Sequence, residues 1–135
     1  MLKRFTLSVK VVIRDEEGRC LLLQRAATCQ GNPGQWEFPG GKVALGEGLE
    51  EVVQREVSEE TALSIGLRRA LGAAQADLPT HTVVYLLLEA DRVAGQVQLS
   101  NEHQDYQWRY PHELLEMDLV RHFIPFSKRY AEGEI

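Results

Sequence analysis

The chain has 135 residues, 44% hydrophobic and 26% charged, and its 15 basic against 20 acidic side chains give a formal net charge of −5. This length predicts one domain over 1–135, long enough to bury roughly two-thirds of its unfolded surface, and the acidic balance argues against a basic nucleic-acid groove. Two cysteines, Cys20 and Cys29, are too few for a disulfide framework and point to a reducing, cytoplasmic setting, and no apolar stretch approaches membrane-spanning length.

Lys10 and Arg14 interrupt the apolar run after Lys3 and Arg4, so the start of the chain does not read as a signal peptide. Residues 5–14 (FTLSVKVVIR) are rich in β-branched side chains and predict a strand. Asp15-Glu16-Glu17-Gly18 is turn chemistry, and Cys20 to Arg25 (CLLLQR) is the returning strand of a hairpin. Ala26 to Gly34 is a loop broken by Gly31-Asn32-Pro33-Gly34. Gln35 to Phe38 is a short strand. Trp36 and Phe38 alternate on it, and so face one way, either into the core or as the wall of a ligand pocket. Pro39-Gly40-Gly41 allows the backbone to bend closely around a ligand. Lys42 follows, either as a solvated cation or within reach of phosphate oxygens.

A helix is predicted from about Leu49 to Ala62, and on it Glu56, Glu59 and Glu60 fall at i, i+3 and i+4. Three carboxylates on one face repel; at ~4 Å and an effective dielectric of about 20, each pair costs roughly 4 kcal/mol before screening. Such a face is either fully solvated or holds a hard cation, for which oxygen ligands suit Mg²⁺ or Mn²⁺. Val53, Val57 and Glu60 cluster on one side of this helix. Glu60 therefore lies at the apolar flank, where an unpaired carboxylate is costly and a metal ion would account for it. Arg55, amid these acids, reads as an ion-pair clamp that orients them.

Strands follow at about Leu67 to Ala76 and at His81 to Ala90, with a turn at Asp77 to Thr80 and a loop at Asp91 to Gly95. His81 reads as structural. In Gln96 to Tyr110, Tyr106 and Trp108 alternate on a further strand, just after Glu102 and His103. Pro111 opens a short helix to Glu116. Leu119 to Tyr130 is helical, with Val120, Phe123 and Ile124 on an apolar face and Pro125 marking a kink or a new start.

The spacing Gly41, five residues, Glu47, seven residues, Arg55-Glu56-Val57-Ser58-Glu59-Glu60, then Thr61-Ala62-Leu63, resembles the signature of the Nudix hydrolases, G-x5-E-x7-R-E-U-x-E-E-x-G-U with U a bulky aliphatic. Six of its seven fixed identities match over 41–63; Ala62 stands where the pattern has Gly. Ala tolerates a left-handed conformation poorly, so the helix is expected to run on slightly or to end differently, using Gly66.

The resemblance implies an α/β/α sandwich with a mixed sheet between helices. It implies hydrolysis, by water and with Mg²⁺ or Mn²⁺, of a phosphoanhydride bond in a nucleoside diphosphate linked to another group. By the same resemblance the Gly40 carbonyl joins Glu56, Glu59 and Glu60 around the metal, and Arg55 supports them. Arg25 lies beside the substrate or is a surface charge. Glu102, with Asp105 second, sits in a loop over the metal, or is a polar loop tip. Glu56 or Glu102 is the general base. Trp36, Phe38 and Lys42 complete the candidate substrate contacts.

PGGKVALGE with the box looks like enzymes acting on a nucleoside triphosphate, including an oxidised one. LSNEHQDYQW resembles a segment of some diadenosine tetraphosphate hydrolases, and nucleotide sugars are a further alternative. A silent nucleotide-binding regulator would usually lack box acids, whereas Glu47, Glu56, Glu59 and Glu60 are all present. The expected partner is a small nucleotide, with no nucleic acid and no membrane; monomer and homodimer stay open.

Overall fold

Strand β1 (Arg4–Arg14) carries Val9, Val11 and Ile13 towards one face of a sheet and Ser8, Lys10 and Val12 towards the other, and all six are buried. It turns at Asp15, whose carboxylate accepts the Glu17 and Arg19 amides at 3.0 and 2.8 Å, and returns as β2 (Cys20–Arg25). The remaining strands are β3 (Trp36–Glu37), β4 (Gly40–Lys42), β5 (Ser64–Asp77), β6 (His81–Ala94) and β7 (His103–Arg109). A computed structural model describes residues 3–44 and 46–135; Leu45, inside the 41–63 segment, lies outside the described residues.

The described strands form one mixed sheet of order β3-β2-β1-β6-β5, with β4 added to β1 and β7 to β2. β1 runs parallel to β6; the other pairings are antiparallel. Helix α1 (Leu49–Thr61) packs Val52, Val53 and Val57 on Val9, Val11, Ile13, Leu21 and Leu23. The opposite face is covered by helix α2 (Ile124–Ala131) and two 3₁₀ turns, 111–116 and 121–123, through Leu114, Phe123, Phe126 and Tyr130. This is the expected α/β/α arrangement.

β1 and β2 do not stay together. They pair at Arg14↔Cys20 and then part. β4 takes the place beside β1, β3 stays with β2, and Val11 donates its amide to the Pro39 carbonyl between them at 2.8 Å. This splay is the cleft around which the polar residues gather.

Several elements differ from their sequence expectations. The helix neither runs on nor uses Gly66, which lies inside β5. It ends at Ala62, which adopts the left-handed conformation itself (φ 62°, ψ 14°) and donates its amide to the Ser58 carbonyl. Residues 91–94 continue β6 rather than forming a loop, because β5 is long enough to pair with them. β4 was not anticipated; its three residues owe their strand to β1, not to propensity. Pro125 opens a new helix, as one of the two alternatives had it.

Candidate active site

Arg55, Glu56 and Glu59 of α1 form one set with Glu47, which precedes the helix. Arg55 donates Nε and Nη2 to the two oxygens of Glu47 at 3.0 Å each, a forked geometry that fixes the guanidinium plane. Its Nη1 reaches Glu56 Oε1 at 3.0 Å and Glu59 Oε2 at 3.5 Å. Glu56 in turn lies against the backbone of Gly41, where any Cβ would overlap its carboxylate. Gly40 has φ 146°, and a Cβ there would collide with the Val9 carbonyl. The two glycines thus bring the backbone of β4 and the acids of α1 together.

Glu60 points away from that set, into the splay. It is 5% exposed, and its Oε1 accepts the Gly40 amide at 2.8 Å. Burial pushes its carboxyl up to about 7, against Lys10 and the Gly40 amide, which pull it down. Below it lies a second buried acid, Glu37, bonded to Lys10 Nζ (3.3 Å), Arg25 Nη1 (3.0 Å) and His103 Nε2 (2.9 Å). Burial works to raise Glu37 too, but Lys10, His103 and Arg25 outweigh it and hold its carboxyl at about 2. Glu60, Glu102 and His103 bring ligand atoms within 4.8 Å of one another, although Glu102 comes from the loop before β7.

A cavity of about 750 Å³ opens beside this network. Arg25 and Glu37 form one side of it, and Tyr85 and His122, stacked at 4.8 Å, form another. A smaller cavity of about 390 Å³ is lined by Arg4, Thr6, Lys42, Thr80 and His81.

The family model described as "NUDIX domain" fits residues 4–130. The chain belongs to the Nudix family. It is 31% identical over 114 residues to the nucleoside triphosphatase NudI of Escherichia coli O139:H28, covering 76% of this chain and 81% of NudI. The crystal structure of a MutT protein from Methanosarcina mazei Go1 shares 34% identity and superposes with a TM-score of 0.89 over 99% of this chain and 98% of that one. An Ap4A hydrolase of Caenorhabditis elegans has a TM-score of 0.76 at 20% identity, over 96% of this chain and 97% of its own, a likeness of fold. The chain is a Nudix hydrolase.

Of the residues singled out from the sequence of this Nudix chain, Glu60, Glu102 and Arg25 come to the splay, with the Gly40 amide on Glu60. Arg55, Glu56 and Glu59 stay in the set that lies against Gly41. Glu59 and Glu102 are exposed. Lys42 is exposed and faces the smaller cavity instead. Trp36 and Phe38 require correction. Phe38 is wholly buried, edge-on to Phe123 and Phe126, and Trp36 is 9% exposed in the same cluster, so they pack the α2 side rather than wall a pocket.

Three residues of the site were missed in the sequence: Lys10, Glu37 and His103. The signal was present but weak. Lys10 stands inside a buried β-branched strand and Glu37 between two aromatics of another, and a charge in such a place needs a partner.

Proposed function

We propose that this Nudix hydrolase cleaves a nucleoside triphosphate to the monophosphate and pyrophosphate with Mg²⁺ or Mn²⁺. The observation that carries this reading is the junction at the splay, where Glu37 and Arg25 line a 750 Å³ cavity large enough for a nucleoside and His103, bonded to Glu37, gathers Glu60 and Glu102 within 4.8 Å. NudI, named a nucleoside triphosphatase, supports the triphosphate as substrate.

The acids fit a divalent cation. Glu60 is buried with one oxygen on an amide, and its carboxyl is raised by burial; a charge in that position is stabilised by a hard cation next to it. When bound, the ion supplies neutralisation of the pyrophosphate oxygens and a more acidic water.

The chain's own residues then divide the work. Arg55 holds Glu56 and Glu59 in place through Glu47. The Gly40 amide fixes Glu60, and the Gly40 carbonyl would join the acids around the cation. Glu56 or Glu102 takes the proton of the attacking water. Tyr85 and His122 offer a flat surface for the base, with Arg25 beside it for phosphate.

The test is a panel of nucleotides with Mg²⁺, following pyrophosphate, phosphate and monophosphate. Triphosphates should give monophosphate and pyrophosphate, and excess chelator should stop the reaction. Orthophosphate as the sole anion released, or undiminished turnover with chelator, would count against the reading.

A dinucleoside polyphosphate is the second reading. It is favoured by the smaller cavity at β4, where Arg4, Lys42 and His81 could receive additional phosphates. Release of a nucleoside diphosphate or triphosphate in the same panel would select it.

A further inference from the structure

The two ring nitrogens of His103 have different surroundings. The residue opens β7 and is 5% exposed. Its Nε2 lies 2.9 Å from Glu37 Oε2, and its Nδ1 is buried without a hydrogen-bond partner. Glu37 carries a negative charge, secured by Lys10 and Arg25. It can only accept, so Nε2 carries the proton between them. In the neutral ring this leaves Nδ1 as a bare lone pair.

No described donor reaches that lone pair. A ring nitrogen of His103 lies within 4.8 Å of carboxylate oxygens of both Glu60 and Glu102. A buried imidazole with one unpartnered nitrogen, in a ring that stands by two carboxylates, has the chemistry of an incomplete cation shell. Histidines that ligate metals characteristically donate their second nitrogen to a carboxylate, which fixes the tautomer.

We infer that His103 Nδ1 is a nitrogen ligand of the divalent cation held by Glu60 and Glu102, with Glu37 as the carboxylate that orients the ring. This rests on the metal-dependent reading above and adds a ligand to it. Affinity for a site with a nitrogen ligand rises from Mn²⁺ through Co²⁺ to Ni²⁺, and Mg²⁺ prefers oxygen, so His103 also tilts the site towards transition ions. The competing arrangement is an imidazolium whose Nδ1–H donates to Glu60 or Glu102, with no bond to the metal.

Pulsed electron paramagnetic resonance on the full chain with Mn²⁺ alone, without nucleotide, separates the two. The expected result is ¹⁴N modulation from directly bound imidazole. It should persist in His81→Gln, His112→Gln and His122→Gln and disappear in His103→Gln. Titrations should show Mn²⁺ binding weakened by at least ~10-fold in His103→Gln, with a smaller loss for Mg²⁺. Glu37→Gln, which keeps the ring but releases its tautomer, should weaken Mn²⁺ by roughly 10–100-fold.

Mn²⁺ bound to the wild-type chain without ¹⁴N modulation overturns the inference, as does modulation that survives His103→Gln. Triphosphate hydrolysis without the nitrogen signal removes His103 from the metal and leaves the function standing. The nitrogen signal without hydrolysis does the reverse. No Mn²⁺ binding at all overturns both.

Discussion

Two buried glutamates stand on either side of the point where β1 and β2 part, and they are treated differently. Glu89, at the closed end, is 2% exposed and fully partnered. It accepts Tyr130 Oη at 2.6 Å and Arg69 Nε at 3.1 Å, with Arg14 and Arg68 within 3.8 Å. Burial works to raise its carboxyl, but Tyr130 and Arg69 prevail and hold it below the usual range. Glu60, in the splay, has one amide hydrogen bond, no ion pair among the described residues, and a carboxyl pushed up to about 7. Native proteins satisfy nearly all buried polar groups. The complete network ties α2 to the sheet, and the incomplete one marks the place for a ligand.

This contrast can be broken at either end. The largest effect is expected from Glu102→Gln, which removes a charge from the open site without touching the core. Turnover should fall by roughly 10²–10⁴-fold, the range for loss of a general base, while substrate binding changes far less. A variant that binds and turns over normally removes Glu102 from the mechanism and leaves Glu56 as the base.

Glu60→Gln should lower the rate by at least ~100-fold and, with chelator present, raise stability. The sign follows from the direction of the shift. A carboxyl raised from 4.5 to about 7 contributes stability that is present below pH 4.5 and lost as pH rises through about 7. The amide has no such loss. The melting temperature of the variant should exceed that of the wild type at pH 8, by the equivalent of about 1–3 kcal/mol, and the gap should close towards pH 4.5. An equal gap at both pH values would show that the Glu60 charge is not the source.

At the closed end the outcome should invert. Tyr130→Phe takes a donor from a buried carboxylate and should cost about 1–3 kcal/mol in denaturant unfolding, with kcat/KM and metal affinity unchanged. A drop in metal affinity would mean that the two networks are coupled.

The smallest effect concerns the helix end. Ala62 bears left-handed strain of ~1–2 kcal/mol, from which roughly 0.5–1 is subtracted for the extra freedom of an unfolded glycine. Ala62→Gly should therefore stabilise the chain by about 0.5–1 kcal/mol, measured by denaturant unfolding, with activity unaltered.

What the sequence by itself determined is what repeats at short range. The 3.6-residue period of α1 put Val53, Val57 and Glu60 on one side, and the spacing of Arg55 from Glu47, Glu56 and Glu59 was enough to read the clamp. The β-branched run of β1, the apolar run of β6, and the turns at Asp15 and Asp77 were enough to read most of the sheet.

Tertiary structure decided the rest. The chain ends its helix at Ala62 because the start of β5 at Ser64 leaves no residues to run on, and packing imposes a conformation that local preference resists. Trp36 and Phe38 share one face as alternation required, but only the position of α2 makes that face core. Lys10, Glu37 and His103 are brought together by strand pairing: Lys10 and Glu37 are 27 residues apart, and Glu37 and His103 are 66 apart. No local period encodes such a meeting, because it depends on where β1 and β2 separate, and that is set by which strands compete to pair with them.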